Sequence, residues 1–277
     1  RALAFANQDR RKNFAYVDLE DDYRVPSIQD AAMAFGVKII RSAYSLKEPI
    51  YNLKEICDSM RTTGYEIPKI IFTSKKVSDL VSIFTEGKKI TDYDHIFSVT
   101  GKEGLPTKLL SSLANSYLTY VTPNELKTDN YIEEPIDPIR LRNLYKFQSI
   151  NKYTGLYGVT GFPLSEQNEN IDIQNLGFLS HNLNNVAIPI QSKLVSESIS
   201  FADQIGIKGL SISNPHKEAV LYYVDEQSVE VIQTGACNTI IKEKNIWKGY
   251  NTDCAGFMRA IKEFLGDYKI KRKKVAV

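Results

Sequence analysis

Gly209-Leu-Ser-Ile-Ser-Asn-Pro-His-Lys217, then Gly235-Ala-Cys-Asn-Thr239, then Gly249-Tyr-Asn-Thr-Asp253-Cys-Ala-Gly256: these three segments decide how the chain is read. The first reads as a strand, GLSIS (209–213), that stops at Pro215 and delivers Lys217 at a helix start. The second opens a strand, ACNTIIKE (236–243), and the third leads into a helix from Asp253. Each sets a polar side chain at a strand end, where α/β proteins bind ligands. Lys217 and Asp253 would make an acid/base pair for moving a hydroxyl proton while a hydride leaves the same carbon. Taken singly, each residue has a plainer reading. Lys217 would be a solvated charge, Asp253 a helix cap and Asn238 a turn residue.

Working outward, the strand TGLYGVTG (154–161), a polar loop and helix (165–183), the strand NVAIPI (185–190) and a helix (194–205) lead into this region. Before them lies a Pro- and acid-rich stretch, 122–152, that reads as a domain joint. Further upstream the strand candidates are FAYVDLE (14–20), VKIIRSA (37–43), IPKIIFT (67–73), HIFSVTG (95–101) and SYLTYV (116–121). Amphipathic stretches lie between them, such as Ile50 to Arg61 with Leu53, Ile56, Cys57 and Met60 at helical spacing. Both halves are therefore α/β, with parallel strands covered by helices. Periodicity alone fits an open sheet and a closed barrel equally.

The chain has 277 residues, 43% hydrophobic and 25% charged, with net charge +2, so charge points to neither nucleic acid nor an anionic membrane. A small-molecule ligand is the expected partner. No apolar run approaches the roughly 20 residues of a membrane span, and RALAFANQDRRKN lacks a signal-peptide core. Cys57, Cys237 and Cys254 are odd in number and widely spaced. That argues against a disulfide framework or a metal site and fits a cytoplasmic location. The chain opens on Arg1 and closes on KRKKVAV, the apparent beginning of a buried strand, so it reads as an internal part of a longer protein.

Together the three motifs resemble, in order and spacing, the signatures of shikimate dehydrogenases, from Tyr157 to about Lys262. The resemblance implies that Lys217 is the catalytic acid/base, Asp253 its partner, and Asn238 a holder of ring hydroxyls. The implied reaction is the NADP-dependent reduction of 3-dehydroshikimate to shikimate. KKVAV would be the first strand of the NADP-binding domain, which would start within residues 263–277. The family opens its substrate domain with Gly-x-Pro and a Ser-x-Ser-Pro segment whose serines bind the substrate carboxylate. Here Gly161-Phe-Pro163 is followed by LSEQNENIDIQN. An ungapped alignment puts Gln167 and Glu169 at the serines. One extra residue before Asn175 puts Asn168 and Asn170 there, and also places Asn175 and Phe178 on family positions. The gapped alignment is preferred, because asparagines can donate to a carboxylate that a glutamate would repel. Ser165 joins this set. Ser211 and Ser213 stand where the family more often has Asn and Thr. The altered loop raises an alternative, a dehydrogenase of quinate or another polyol acid.

Ahead of this domain, residues 12–137 resemble a type I dehydroquinate dehydratase. YVDLE (16–20), IIRSAYS (39–45) and EIPKIIF (66–72) match its third, fourth and fifth barrel strands. VTGKEGLPTKLLSS (99–112) matches its Met-Gly-x-x-Gly-x-x-Ser-Arg segment. The implied architecture is a partial (β/α)8 barrel, strands three to eight (1–148), followed by an α/β substrate-binding domain (153–262) and the start of a Rossmann domain. Such fusions carry an oxidoreductase and a lyase of aromatic amino acid biosynthesis on one chain. Lys69 sits where that family forms a Schiff base, which requires a lysine that is neutral part of the time. Tyr44 replaces the family's catalytic His, and Lys108 replaces a carboxylate-binding Arg, losing its bidentate fork. Glu134-Pro-Ile-Asp137 replaces Ala-Pro-Gly-Gln. A buried acidic partner is the other explanation for a lysine in an apolar strand, with Glu20 as the candidate. The expectation is a barrel that has lost catalysis but still packs against the dehydrogenase half. A non-catalytic, pathway-derived binding protein is the remaining alternative.

Overall fold

The structure, a computed structural model, describes residues 9–126, 135–165 and 167–266. Glu134 and the KKVAV segment lie outside them.

In the first half β1 (Tyr16–Glu20), β2 (Lys38–Ser45), β3 (Glu66–Thr73) and β4 (Ile96–Thr100) pair in sequence order, every pair parallel. Between them run α1 (Pro26–Ala34), α2 (Leu53–Met60) and α3 (Val81–Gly87), as an arc of a (β/α) barrel requires. Side chains alternate between the two faces of such a sheet. One face offers Ile40, Ile67 and Ile96, and the other offers Ile70, Phe72, Phe97 and Val99 to Leu53, Cys57, Ile83 and Phe84 of the helices.

Residues 116–121, expected as a further strand, make only the isolated bridge His95–Ser116. The segment then turns across the inner face of the arc. Tyr117 and Leu118 cover Ile40, Ile67 and Ile96, and the Tyr117 hydroxyl lies 2.6 Å from that of Tyr16 on β1. Covering that apolar face takes precedence over strand pairing here. α4 (Leu105–Leu109) and α5 (Pro138–Asn143) complete this half. Asp137 caps α5, its carboxylate accepting from Ile139 N at 2.9 Å and Arg140 N at 3.1 Å.

The second half contains β5 (Gly155–Gly161), α6 (Glu169–Ser180), β6 (Asn185–Gln191), α7 (Val195–Ile205), β7 (Ile207–Ile212), β8 (Glu226–Gln227), α8 (Val229–Thr234), β9 (Thr239–Glu243), β10 (Ile246–Tyr250) and α9 (Thr252–Leu265). Its sheet runs β6-β5-β7-β9-β10-β8. β5 is parallel to both neighbours, and β9 is antiparallel to β7 and β10. β10 is absent from the sequence reading. It folds back on β9 through Lys244-Asn245, both at positive φ (48° and 69°), the geometry of a tight hairpin whose usual signal is Asn-Gly. The helix expected after Pro215 is instead a 3-10 turn, Ala219–Tyr223, and Lys217 sits in the turns before it.

β6 is an edge strand, and Asn175 of α6 closes that edge. Its amide donates to Ala187 O at 2.8 Å and to Ile171 O at 3.0 Å, while its carbonyl accepts from Ala187 N at 2.9 Å. Asn175→Ala would strand both backbone groups of a fully buried residue. A loss of about 2–3 kcal/mol is expected, read as a shifted midpoint in urea with an unchanged slope. A loss below about 0.5 kcal/mol would mean that solvent reaches this edge.

The halves share one core. Phe84 of α3 meets Phe201 of α7 with ring centroids 6.2 Å apart, and Arg140 pairs with Asp172 across the joint. No helix among the described residues is long and apolar enough to cross a membrane.

Candidate functional site

Sheet order brings the three motifs to one edge. β5 and β7 run parallel, so Gly161 and Ile212 end side by side, with Ser213 N donating to Thr160 O at 2.8 Å and Phe162 N to Asn214 O at 3.0 Å. The approach at Gly161 leaves no room for a side chain, since a Cβ there would lie 2.9 Å from Ser213 Cβ. β9 is antiparallel to β7, so its first residue, Thr239, pairs with Ser211, and Asn238 O accepts from Ile212 N at 2.7 Å. β10 ends opposite Thr239, delivering Asn251 to Asp253 to the same edge.

There Lys217 Nζ donates to Asp253 Oδ2 at 2.7 Å, and Asn238 Nδ2 donates to Asp253 Oδ1 at 2.7 Å. The cap of α9 is Asn251, whose carbonyl accepts from Cys254 N, so Asp253 is free of the capping duty that one reading gave it. The Lys217 hydrogen bond draws the Asp253 carboxyl below its ordinary value. Partial burial works against this and Asn238 assists it. The side chains of Lys217 and Asp253 remain 34% and 60% exposed, which leaves the pair open to a ligand. Asn238 is tied into the edge on every side. Nδ2 also donates to Thr252 Oγ1 at 2.8 Å, and Oδ1 accepts from Thr252 N and Thr239 Oγ1, both at 3.0 Å. Its amide is spent on holding Asp253 and the start of α9. Thr239 and Thr252, its supports, stand inside the quoted motifs but escaped notice because hydroxyls beside a turn carry no distinctive spacing.

Ser165 and Asn168 stand at the entry to α6. The Ser165 hydroxyl accepts from Gln167 N at 3.1 Å, and Asn168 caps the helix by accepting from Asn170 N at 3.0 Å, while Asn170 is exposed. Ser211 and Ser213 are half-buried along the β7 edge beside this loop. For a dinucleotide, the described residues offer no glycine-rich cradle at a helix start. At the closest resemblance, Gly101 to Gly104, a Cβ on Gly104 would lie 2.2 Å from Val99 O, so that turn is packed shut.

In the first half Lys69 is buried on the inner face of β3, but its partner is not Glu20. Lys69 Nζ donates to Asp18 Oδ2 at 2.8 Å and to Tyr44 Oη at 3.2 Å, and lies 4.7 Å from the ring centre of Tyr120. Strand register puts Glu20 beside Ser42 and Ser42 beside Lys69. Barrel strands are tilted, with a stagger of about one residue per strand, so the group level with Lys69 two strands away lies two residues along, at Asp18. Burial alone would lower the Lys69 pKa. The hydrogen bonds that Lys69 donates to Asp18 and Tyr44 outweigh it and hold the ammonium above the ordinary lysine value. Glu20 instead lines a recess with Asp21, Asp22 and Ser42 at the mouth of the arc. Lys108 is buried on α4, and Asp137 serves as the α5 cap. No described His reaches Lys69. His95 Nε2 is engaged with Ala114 O at 2.9 Å, and His216 Nε2 with Ser192 O at 2.8 Å. Burial pushes the Cys57 thiol up to about 12, which rules it out as a neutral-pH nucleophile.

Comparisons with known proteins give matches over each half. The family model for type I 3-dehydroquinase matches residues 2–152, and that for the shikimate dehydrogenase substrate binding domain matches residues 159–240. A bifunctional 3-dehydroquinate dehydratase/shikimate dehydrogenase of Arabidopsis thaliana is 32% identical over 261 residues, 90% of this chain and 42% of that protein. A shikimate dehydrogenase (NADP(+)) of Dictyoglomus thermophilum is 39% identical over 116 residues, 41% of this chain and 42% of that one. The crystal structure of shikimate dehydrogenase from Aquifex aeolicus superposes on 43% of this chain and 46% of its own, at 29% identity and a TM-score of 0.41. The chain thus spans less than half the length of these curated relatives. With a dehydroquinase match over more than half its length and the Lys217–Asp253 edge following it, the chain belongs to the type I 3-dehydroquinase family and carries a shikimate dehydrogenase substrate-binding domain behind the barrel.

Proposed function

We propose that the second half binds 3-dehydroshikimate and shikimate and supplies the proton-transfer groups for their NADP-linked interconversion. The observation that carries this reading is the 2.7 Å bond between Lys217 Nζ and Asp253 Oδ2 at an open sheet edge. In the reducing direction the hydride for the carbonyl carbon would come from NADPH, held outside the described residues. The Lys217 ammonium donates a proton to the alkoxide that develops there, and in the oxidising direction the neutral amine takes it back. Asp253 orients Lys217 and balances its charge, and Asn238 fixes the carboxylate. Ser165, Asn168 and Asn170, with Ser211 and Ser213, line the side where the substrate carboxylate would lie. Residues 263–277 would then begin the NADP-binding domain. In this proposal the first half, 1–148, is a retained barrel without dehydratase turnover, and the protein works in the reducing cytoplasm.

Calorimetric titration of the chain with shikimate tests the reading. Measurable binding is expected, weakened by about 1–2 kcal/mol in both Lys217→Met and Asp253→Asn. A folded chain that binds quinate and not shikimate would transfer the site to the polyol-acid alternative. Binding of neither would leave a pathway-derived scaffold.

A further inference from the structure

The end of β6 joins three parts of the molecule. Gln191, buried at its last position, accepts from Leu164 N at 2.9 Å through Oε1 and donates to Glu103 Oε1 at 3.0 Å through Nε2. Leu164 belongs to the loop after Gly161 that leads to Ser165 and Asn168. Glu103 belongs to the other half, in the turn after β4. The next residue, Ser192, donates its N–H to Gly161 O at 3.2 Å and accepts from His216 Nε2 at 2.8 Å, and His216 directly precedes Lys217. One side of this hub therefore sets the loop, another sets the lysine segment, and the third is a carboxylate of the barrel half.

A primary amide with a free end would not hold this arrangement. The Gln191 carbonyl points at Leu164 N only while the amide plane is fixed, and the Glu103 carboxylate fixes it by accepting from the opposite end. The turn carrying Glu103 is itself firm. Gly104 N donates to Gly101 O at 3.1 Å, and the Thr107 hydroxyl donates to Gly104 O at 2.7 Å. A Cβ on Gly104 would collide with Val99, so the turn is pressed against β4.

We infer that Glu103 of the barrel half is a positioning residue for the substrate loop of the dehydrogenase half, acting through Gln191 on the backbone of Leu164. The inference rests on the shikimate reading for its ligand and on geometry alone for its mechanical link. It gives a barrel with an altered site a continuing task. Glu103 never touches substrate in this scheme. Its effect is on affinity and loop order rather than on proton transfer.

The test compares the unchanged chain with Glu103→Ala, Glu103→Gln and Gln191→Ala by amide hydrogen exchange and by shikimate titration. Glu103→Ala is expected to speed exchange at Leu164 N about tenfold while Ile188 and Ile190 in the strand stay protected. It is also expected to weaken shikimate about fivefold. Glu103→Gln, which keeps the acceptor and removes the charge, should preserve both values. That separates positioning from the simple relief of a negative charge near an anionic ligand. Gln191→Ala should reproduce the Leu164 effect. Unchanged exchange at Leu164 in Glu103→Ala overturns the inference. Changed exchange in a chain that binds no shikimate overturns the shikimate reading and leaves the link between the halves intact.

Discussion

On the proposed function, Lys217→Met is expected to lower kcat for NADP-linked oxidation of shikimate about 10²- to 10⁴-fold, the usual worth of a positioned acid/base. Folding should barely respond. The Lys217–Asp253 pair is 34% and 60% exposed, and ion pairs so exposed contribute about 0–1 kcal/mol. The variant separates chemistry from stability and is checked by turnover beside a melting curve. The same variant has a second readout. The Asp253 carboxyl lies below its ordinary 3.8 mainly because of the Lys217 hydrogen bond, so removing that donor should move it back up, as carboxyl NMR would show. A depressed carboxyl contributes stability above its unfolded pKa and loses it only as pH falls through the lower folded value. The Asp253 carboxyl is therefore ionised throughout the neutral range, and the acid limb of a rate profile above about pH 5 must belong to a group other than Asp253. A variant that keeps kcat within threefold of the parent would remove Lys217 from the mechanism.

The dehydrogenase edge could be read in the sequence because each of its groups comes from a short segment whose backbone path is set locally. A strand stops at Pro215, a turn precedes Thr239, and a helix begins after Asn251. Three such stops at one sheet edge leave Lys217, Asn238 and Asp253 few places to go. What the sequence could not show was how the hydrogen bonds are shared. Nothing in the sequence signals that the Asn238 amide also bonds Thr239, Thr252 and Asp253. The barrel half failed differently. Its strands follow from alternation, but residues 116–121 are as apolar as a strand and cross the arc instead, where Tyr117 and Leu118 bury Ile40, Ile67 and Ile96. The partner of Lys69 depends on the stagger between strands 51 residues apart in the chain, a quantity that no local pattern contains. Glu103 was invisible for the same reason, as 88 residues separate it from Gln191.

Borohydride added to the chain in the presence of 3-dehydroquinate is expected to leave Lys69 unlabelled, with no mass increase on its peptide. Schiff-base formation needs the free amine, and an unperturbed lysine at pH 7.5 is neutral only about one time in a thousand. The dehydratase chemistry implied by the resemblance would require a site that lowers this pKa, whereas Asp18 and Tyr44 raise it against the pull of burial. The ring of Tyr120, 4.7 Å from the ammonium, favours the charged form further. A raised lysine pKa contributes stability that is complete below the unfolded value, ordinarily 10.5, and is lost only as pH rises through the still higher folded value. The clamp is consequently intact at every pH where the reaction could be assayed. Asp18→Asn removes the carboxylate and leaves burial as the main influence, so the Lys69 pKa should fall below the ordinary value and labelling should appear at mildly alkaline pH. Trapping of Lys69 in the unchanged chain would show that the clamp opens for substrate. Failure of Asp18→Asn to label, in a folded protein, would place the block in the covering segment around Tyr120 rather than in the charge of Asp18.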